Sequence, residues 1–186
     1  MSEQVLHLDF IKLTPETSRE QRSQLEAAAQ GLRAIDGVTG VGVIEGEAGS
    51  DFDLAFWFVL RAFTSLEPFG TDPRYAKFLQ ASVAPLLQAF AGADVKLDDE
   101  FEADDGVAAC LALIGPEEAY DFEVREALEA WSGPTQAACT AIGLAVGERQ
   151  VYRGAAIGFG IQGPIETPEI EPFRATLIRG VARTLA

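Results

Sequence analysis

His7 and Asp9 are the first residues along the chain whose types and spacing suggest chemistry. They lie two residues apart in Val5–Leu13, a stretch whose alternation predicts a β-strand with both side chains on one face. A carboxylate beside an imidazole holds the ring in one tautomer and raises its basicity, which is the usual arrangement of a general base. Same-face neighbours on a strand are about 7 Å apart, so contact requires suitable rotamers. The alternative is a structural histidine with satisfied hydrogen bonds.

Tyr75 and Trp57 complete the set of candidate site residues. Tyr75 stands near the start of a predicted helix, where a phenol can protonate or stabilise an enolate-like oxygen, and simple packing is its alternative role. Trp57 lies in an aromatic strand and can form the floor of a ligand pocket or belong to the core. We therefore predict His7, Asp9 and Tyr75 as catalytic candidates. We predict a ligand pocket lined by His7, Trp57 and Tyr75.

The segment Gly158-Phe-Gly160-Ile-Gln-Gly163 has the spacing of a dinucleotide-binding fingerprint but not its context. That fingerprint needs a glycine turn opening directly into a helix, with an acidic residue about 20 residues further on. Here the glycines lie largely within a predicted strand, and Pro164 and Pro168 precede the next predicted helix. The sequence therefore predicts no nucleotide and no other organic cofactor.

The run Asp98–Asp105 carries six carboxylates in eight residues. A calcium loop of the EF-hand type requires glycine at its sixth position and glutamate at its twelfth, and Ala103 stands at the sixth position of this run. The sequence also shows no His, Cys, Asp and Glu cluster with the spacing of metal ligands. We predict a solvated hinge between two halves of the chain, and no metal site.

The first half of the chain predicts a βαββαβ unit. Its predicted elements are a strand at Val5–Leu13, a helix from Thr14-Pro15 to about Ile35, strands at Val38–Ile44 and Phe52–Phe63, a helix from about Pro73 to Phe90, and a short strand at Val95–Leu97. The strand at Phe52–Phe63 has almost no polar face, so we expect it to be covered on both sides.

The second half repeats this order up to its end. Its predicted elements are a strand at Val107–Ile114, a helix from Glu117 to Trp131, strands at Ala137–Val146 and Val151–Ile161, and a final helix from about Pro168 to the C-terminus. Two short segments match in register between the halves: Thr14-Pro15-Glu16 with Gly115-Pro116-Glu117, and Asp72-Pro73 plus Phe78 with Thr167-Pro168 plus Phe173. This pattern predicts a diverged duplication whose second copy lacks the last strand.

This order predicts an α+β fold of two ferredoxin-like repeats. Each repeat forms an antiparallel sheet with its helices on one face, which leaves the other, apolar face bare. Packing the two sheets face to face buries that surface and makes a pseudo-dimeric α/β barrel within one chain. The predicted division is residues 1–98, an acidic linker at 99–106, and a second repeat at 107–186. Both a monomer with an internal pseudo-dimer and a homodimer fit this pattern.

Composition and charge exclude several classes of partner. A net charge of -15 repels phosphate backbones and anionic lipid, so neither nucleic acid nor a membrane surface is an expected partner. No apolar run is long enough to span a bilayer, and the N-terminal Met-Ser-Glu-Gln does not resemble a signal peptide. Cys110 and Cys139 lie in apolar strands, where we expect buried, reduced thiols in a cytoplasmic protein.

Three segments of the first half resemble the stress-responsive dimeric α/β-barrel (Dabb) family. They are His7-Leu-Asp-Phe-Ile-Lys-Leu-Thr-Pro-Glu16, Gly37-Val-Thr-Gly-Val-Gly42 and Asp72-Pro73-Arg-Tyr75 with Phe78. The resemblance covers roughly residues 4 to 98 and implies a ferredoxin-like barrel, often dimeric, with no established activity in most members.

One class of that family, olivetolic acid cyclase, closes polyketide chains by aldol condensation without a cofactor. Its site resembles a first-strand histidine plus a His-Pro-x-His segment entering the last helix. The first-strand histidine is present as His7, whereas the second segment reads Asp72-Pro73-Arg74-Tyr75. The position of the catalytic histidine is therefore occupied by Tyr75.

Three functions fit the sequence. The first is an uncharacterised stress-responsive α/β-barrel protein that binds a small apolar or aromatic ligand between sheet and helices. The second is a cofactor-independent cyclase, isomerase or monooxygenase acting on a polyketide-like or phenolic substrate, which requires His7 to line an open pocket. The third is a structural or assembly role through the outer sheet edges.

Overall fold

A computed structural model describes residues 3–115, 120–135, 137, 139–146, 152–162 and 171–185, without the side chains of 133–135, 139 and 140. Among these residues, no helix combines the length and the apolar character needed to cross a membrane.

The first half begins with strand β1 (Val5–Leu13) and helix α1 (Arg19–Gln30), which continues as a 3-10 turn (Gly31–Ala34). The helix starts later than the predicted Thr14-Pro15 because Ser18 forms its cap. Ser18 Oγ accepts a hydrogen bond from the Gln21 N–H, and Gln21 Oε1 accepts one from the Ser18 N–H. This reciprocal capping box satisfies N–H groups that the first helical turn would leave unpaired.

Strands β2 (Val38–Gly46) and β3 (Leu54–Leu60) follow as an antiparallel pair. Every residue of β3 is buried, which confirms that this strand is covered on both faces. Ala55, Trp57 and Val59 pack on one side, and the alternate residues pack on the other. Gly42 on β2 makes room for Trp57, because a Cβ at Gly42 would overlap the indole ring.

The predicted helix from Pro73 to Phe90 is wrong at its end and incomplete at its start. The helical layer comprises α2 (Leu66–Thr71), α3 (Pro73–Lys77), a π-helical turn (Phe78–Val83) and a 3-10 turn (Ala84–Leu86). Strand β4 then spans Leu87–Leu97 and pairs with β1 along its whole length. Pro85 lies in the last turn, where it cannot continue an α-helix, and pairing with β1 takes up the residues that follow.

The second half contains strand β5 (Gly106–Ile114), helix α4 (Asp121–Thr135) and strands β6 (Cys139–Ala145), β7 (Gly154–Phe159) and β8 (Arg174–Thr184). The predicted C-terminal helix is therefore wrong over β8. The predicted match between Phe78 and Phe173 also fails, because Phe78 is helical whereas Phe173 directly precedes β8. Pro116-Glu117 and Thr167-Pro168 lie outside the described residues.

The eight strands form a closed barrel in the order β1-β3-β2-β8-β5-β7-β6-β4. Each half contributes four strands in the same internal order, β4-β1-β3-β2 and β8-β5-β7-β6. Pairs β2–β8 and β4–β6 join the halves. The predicted fold, a pseudo-dimer of two ferredoxin-like halves closed within one chain, is confirmed. Strand β8 is the fourth strand that the second half was predicted to lack.

Three apolar cores follow from this closure. One fills the barrel interior between the two sheets, and the other two lie between each sheet and its outer helices. The acidic segment 98–105 contributes Phe101 to the interior core, where its ring packs 5.8 Å from Phe159 and 6.4 Å from Trp57 between centroids. This acidic connection therefore closes one end of the barrel. The domain boundaries at 98 and 107 stay a prediction.

A substitution at Gly180 tests whether close pairing of β2 with β8 closes the barrel. A Cβ at this position would overlap the Glu45 carbonyl oxygen across the β2–β8 seam, and that backbone cannot move without disturbing the ladder. We expect Gly180→Ala to lower the free energy of unfolding by about 2 kcal/mol or more, measured by urea denaturation. Gly70→Ala is the control, since a Cβ there meets nothing within 4 Å. Equal stability of the two variants would contradict this view of the seam.

Candidate active site

The candidate site lies on the outer face of the first-half sheet, under the helical layer. On β1, His7 stands between Asp94 of β4 and Phe58 of β3, and Asp9 is the next residue of β1 on the same face. The alternate β1 side chains, Leu6, Leu8 and Phe10, point into the barrel interior. The predicted facing of this strand is therefore correct.

His7, Asp9, Tyr75 and Asp94 form a hydrogen-bonded cluster, which we call the His7 cluster. His7 Nδ1 lies 2.5 Å from Asp94 Oδ1, and His7 Nε2 lies 2.8 Å from Tyr75 Oη and 3.2 Å from Asp9 Oδ1. The Tyr75 hydroxyl donates to both carboxylate oxygens of Asp9 at 3.1 Å. The structure thus brings together all three predicted catalytic candidates, and His7 and Asp9 touch directly despite the strand spacing.

Helix α3 places Tyr75 over the sheet. Asp72 caps this helix by accepting a hydrogen bond from the Arg74 N–H at 2.8 Å, and Pro73 occupies the first helical position. The hydrogen bonds with Arg74 hold the pKa of Asp72 below its usual value. The Asp72-Pro73 pair therefore sets where the helix begins, and Tyr75 follows in its first turn, directed at β1.

Asp94 is the member of the cluster that sequence reasoning missed. The predicted last strand of the first half began at Val95, which left Asp94 just outside it. Continuing the two-residue alternation one step upstream from Lys96 would have placed Asp94 on the same sheet face. Its position opposite His7 depends on the register between β1 and β4, which the sequence alone does not specify.

An aromatic shell surrounds the imidazole. The rings of Phe69, Tyr75 and Phe58 lie 5.1, 5.4 and 5.8 Å from that of His7. Asp9 is fully buried, whereas the side chains of His7 and Asp94 keep 13% and 16% of their surface exposed. The cluster is accordingly sealed on the Asp9 side and reaches solvent along an edge formed by His7 and Asp94.

The electrostatics make His7 a cation. Burial alone would lower the pKa of His7, but the charge and hydrogen bond of Asp9, followed by those of Asp94, raise it to about 10. At neutral pH the ring is therefore an imidazolium that donates from both nitrogens, and it is not a free base. Burial, and then the charge of Asp9, raise the pKa of Tyr75 well above its ordinary value, so the phenol stays protonated.

Trp57 does not join the cluster. Its side chain points to the opposite face of the sheet, into the barrel interior, where it is 1% exposed and its ring centroid lies 5.6 Å from that of Phe159. The predicted pocket of His7, Trp57 and Tyr75 therefore cannot be one space, since the sheet separates Trp57 from the other two.

The second half lacks a counterpart of the His7 cluster among its described residues. The outward side chains of β5 include Ala109, Leu111 and Leu113, which pack against Leu128 and Trp131 of α4 in an apolar layer. The equivalent strand of the duplicate therefore carries hydrocarbon where the first half carries an ion pair.

Four cavities formed by described residues lie away from the His7 cluster, with volumes of about 200, 240, 330 and 370 Å³. His7, Asp9 and Tyr75 line none of these four. Among the described residues, no group of three or more His, Cys, Asp or Glu side chains could hold a metal ion.

The cysteines and the glycine segment have no assigned role in the His7 cluster. Cys110 is a buried free thiol, and burial raises its pKa to about 12, whereas the side chain of Cys139 lies outside the described residues. Gly158 lies within strand β7 and Gly160 directly follows it, which agrees with the prediction that these glycines lie largely within a strand. Gly163, Pro164 and Pro168 fall outside the described residues.

Comparison with known proteins supports the fold but identifies no function. No protein-family model matches the chain, and no curated protein does. Among solved structures, a monooxygenase-like protein from Lactobacillus acidophilus NCFM is 10% identical, with a TM-score of 0.57 over 100% of this chain and 98% of its own. An anthrone oxidase-like protein is 14% identical, with a TM-score of 0.57 over 100% of this chain and 94% of its own.

A Dabb family protein with a ferredoxin-like fold from Mesorhizobium loti matches half of the chain. It is 16% identical and covers 54% of this chain and 98% of its own, with a TM-score of 0.44. Matches span either about half of this chain or the whole of it, and the two full-length matches described above share the α/β-barrel fold of this chain.

Replacing His7 by glutamine should change how stability depends on pH. Because the folded-state pKa of His7 lies above its ordinary value of 6.5, its contribution is fully present below about pH 6.5 and is lost as pH rises to about 10. We expect His7→Gln to lower the free energy of unfolding by about 3 kcal/mol at pH 6, and by progressively less towards pH 10. Chemical denaturation at several pH values measures the difference.

Arg183→Gln is the matched control for that series. Arg183 pairs with Glu26 and Glu45 at the surface, so its removal should cost little, and by the same amount across this pH range. A His7→Gln difference that stays constant from pH 6 to pH 10 would show that His7 is not held as a cation.

Proposed function

We propose that this chain is a small-molecule-binding α/β-barrel protein whose ligand contacts the exposed edge of the His7 cluster. The observation that carries this proposal is an imidazole held by two carboxylates and a phenol within an aromatic shell, with solvent contact at His7 and Asp94. Burying charge is costly even when the charges are paired, and hydrocarbon of similar volume is often as stable. Strongly perturbed groups of this kind cluster at functional sites.

The duplicate half supports this interpretation. Its apolar layer shows that the same fold packs with hydrocarbon at the equivalent strand. The His7 cluster is therefore not a requirement of the ferredoxin-like architecture, and a role in recognition accounts for its presence in the first half.

The cluster also indicates the class of ligand. One positive and two negative groups leave a net negative charge at the edge, and the whole chain carries -15. An anionic ligand is therefore disfavoured. Phe58 and Phe69 are fully buried behind the imidazole, so a ligand meets only the outer edge, where Asp94 can accept a hydrogen bond from a ligand hydroxyl or amine.

A cofactor-independent enzyme is the second candidate, and the open pocket at His7 that it requires is not among the four cavities described above. The 2.8 Å contact between His7 Nε2 and Tyr75 Oη favours it, because an imidazole and a phenol in contact can share a proton or stabilise a developing oxyanion. With His7 charged, such a site supplies hydrogen bonds and positive charge to an enolate-like oxygen, and base catalysis would need another group. Cyclisation, isomerisation or oxygenation of a phenolic substrate, with loss of turnover in Tyr75→Phe, is the corresponding assay.

The closed barrel also bears on assembly. Both apolar sheet faces are covered within one chain, so a second copy is not needed to bury them. We therefore infer a monomer with an internal pseudo-dimer, in contrast to single-repeat proteins, which must dimerise to cover the same surface.

Thermal-shift measurements with matched phenols test the binding proposal. Orcinol offers two hydroxyl donors on a small aromatic ring, and its dimethyl ether keeps the ring but has no donor. We expect orcinol in excess to raise the melting temperature of the wild-type protein by about 2–4 °C and the ether to have little effect. Tyr75→Phe should abolish this shift, because it removes the hydroxyl that joins His7 to Asp9.

Tyr152→Phe is the control variant. It also removes one buried hydroxyl, which contacts Thr176 at 3.3 Å inside the barrel, and it should keep the orcinol response because the β1 sheet separates it from the cluster. If phenols and ethers stabilise the protein equally, or if no compound of a broad aromatic panel does, the proposed site does not bind ligands of this class.

A further inference from the structure

A surface groove runs between α1 and the helical segment Pro73–Leu86, away from the His7 cluster. Two of the described cavities, of about 200 and 240 Å³, share Ser82 and together form it. The α1 side contributes one helical stripe that continues into the 3-10 turn: Gln21, Gln24, Leu25, Ala28, Gly31 and Leu32. This stripe runs ten residue steps from Gln21 to Gly31, or about 15 Å at the helical rise.

Small residues keep the groove open. Ala28 and Gly31 line one cavity with Ser82, and Ala81 lines the other, so small residues flank the point where the two cavities meet. A Cβ built at Gly31 meets nothing within 4 Å, and its φ of -59° suits any residue, so the backbone does not require glycine. The π-helical turn Phe78–Val83 supplies the opposite wall, and such turns often occur at functional sites.

The groove is apolar at its floor, cationic at one end, and rimmed by Gln21 and Gln24 at the other. Leu25, Leu32 and Phe78 form the buried floor. Arg74 and Lys77 line the end near Gly31, where Arg74 is held by Asp72 and by the Ala34 carbonyl oxygen. Lys77 makes no ion pair with the described residues, so its charge is available to a ligand.

We propose that this groove binds a medium-length alkyl carboxylate, with the carboxylate at Lys77 and the hydrocarbon chain along Ala28, Ser82 and Leu86. Charge complementarity at Lys77 points to the carboxylate, in a protein whose net charge otherwise repels anions. A partner helix does not fit, because a helix about 10 Å across and 15 Å long occupies far more volume than the two cavities of about 200 and 240 Å³ offer. This site is separate from the His7 cluster and does not rest on the function proposed there.

Isothermal titration with laurate below its micelle-forming concentration tests the proposal. We expect laurate to bind in the groove, whereas butyrate, with a short chain, does not bind, and dodecyltrimethylammonium, which the net charge of -15 attracts to the surface in general, does not bind in the groove. In two-dimensional amide NMR spectra, the laurate-induced shifts should map to residues 28–31 and 77–82.

Three variants locate the binding. Lys77→Gln should weaken laurate binding about two- to fivefold, whereas Lys96→Gln, at an exposed lysine outside the groove, should leave it unchanged. Gly31→Leu should fill the groove without strain and weaken binding about tenfold or more. Equal binding of laurate and the ammonium compound in the groove, laurate-induced amide shifts outside the groove, or unaltered binding by Gly31→Leu would each overturn the proposal.

Discussion

The fold depends on hiding two apolar sheet faces from water. Each ferredoxin-like half covers only one face of its sheet with helices, and the other face carries side chains such as Phe10, Trp57, Ile157 and Ile178. Burying one such large side chain is worth about 1.5–3 kcal/mol, so neither half is expected to be stable with this face exposed. Pairing β2 with β8 and β4 with β6 closes the two sheets into one barrel and removes the exposure.

Strand pairing within the first half is what forms the His7 cluster. The cluster requires three strands in one register, because β1 supplies His7 and Asp9, β4 places Asp94 opposite His7, and β3 provides Phe58 on the other side. A shift of one residue between β1 and β4 would turn Asp94 into the barrel interior. The same ladder that stabilises the sheet therefore holds two carboxylates around one imidazole and keeps it charged.

Local pattern was enough to predict the first three strands and the overall architecture. Alternation in Val5–Leu13 gave the correct facing of His7 and Asp9, and the unbroken apolar character of β3 predicted burial on both sides. Local sequence pattern failed where pairing between strands decides the conformation of a segment. The apolar residues Leu86, Leu87 and Phe90 fit a helical stripe as well as a strand, and β1 selects the strand for Leu87 and Phe90.

Strand β8 shows the same limit more clearly. Its sequence, Arg174–Thr184, mixes β-branched residues with alanine and arginine, so its local preference is weak. Pairing with β5 on one side and β2 on the other decides its conformation, and both partners are distant in sequence. Asp94 was missed for a related reason, since its neighbour in space, His7, lies 87 residues away along the chain.

The unequal outer layers of the two halves have a consequence for stoichiometry. A symmetric dimer of single-repeat chains carries two copies of any site formed on its first strand. Here the two copies lie in one chain and differ from each other. Hydrocarbon fills the outer layer behind β5, whereas the imidazole and the carboxylates lie on the sheet of the first half. A ligand that recognises those polar groups would saturate at one molecule per chain, without cooperativity between twin sites.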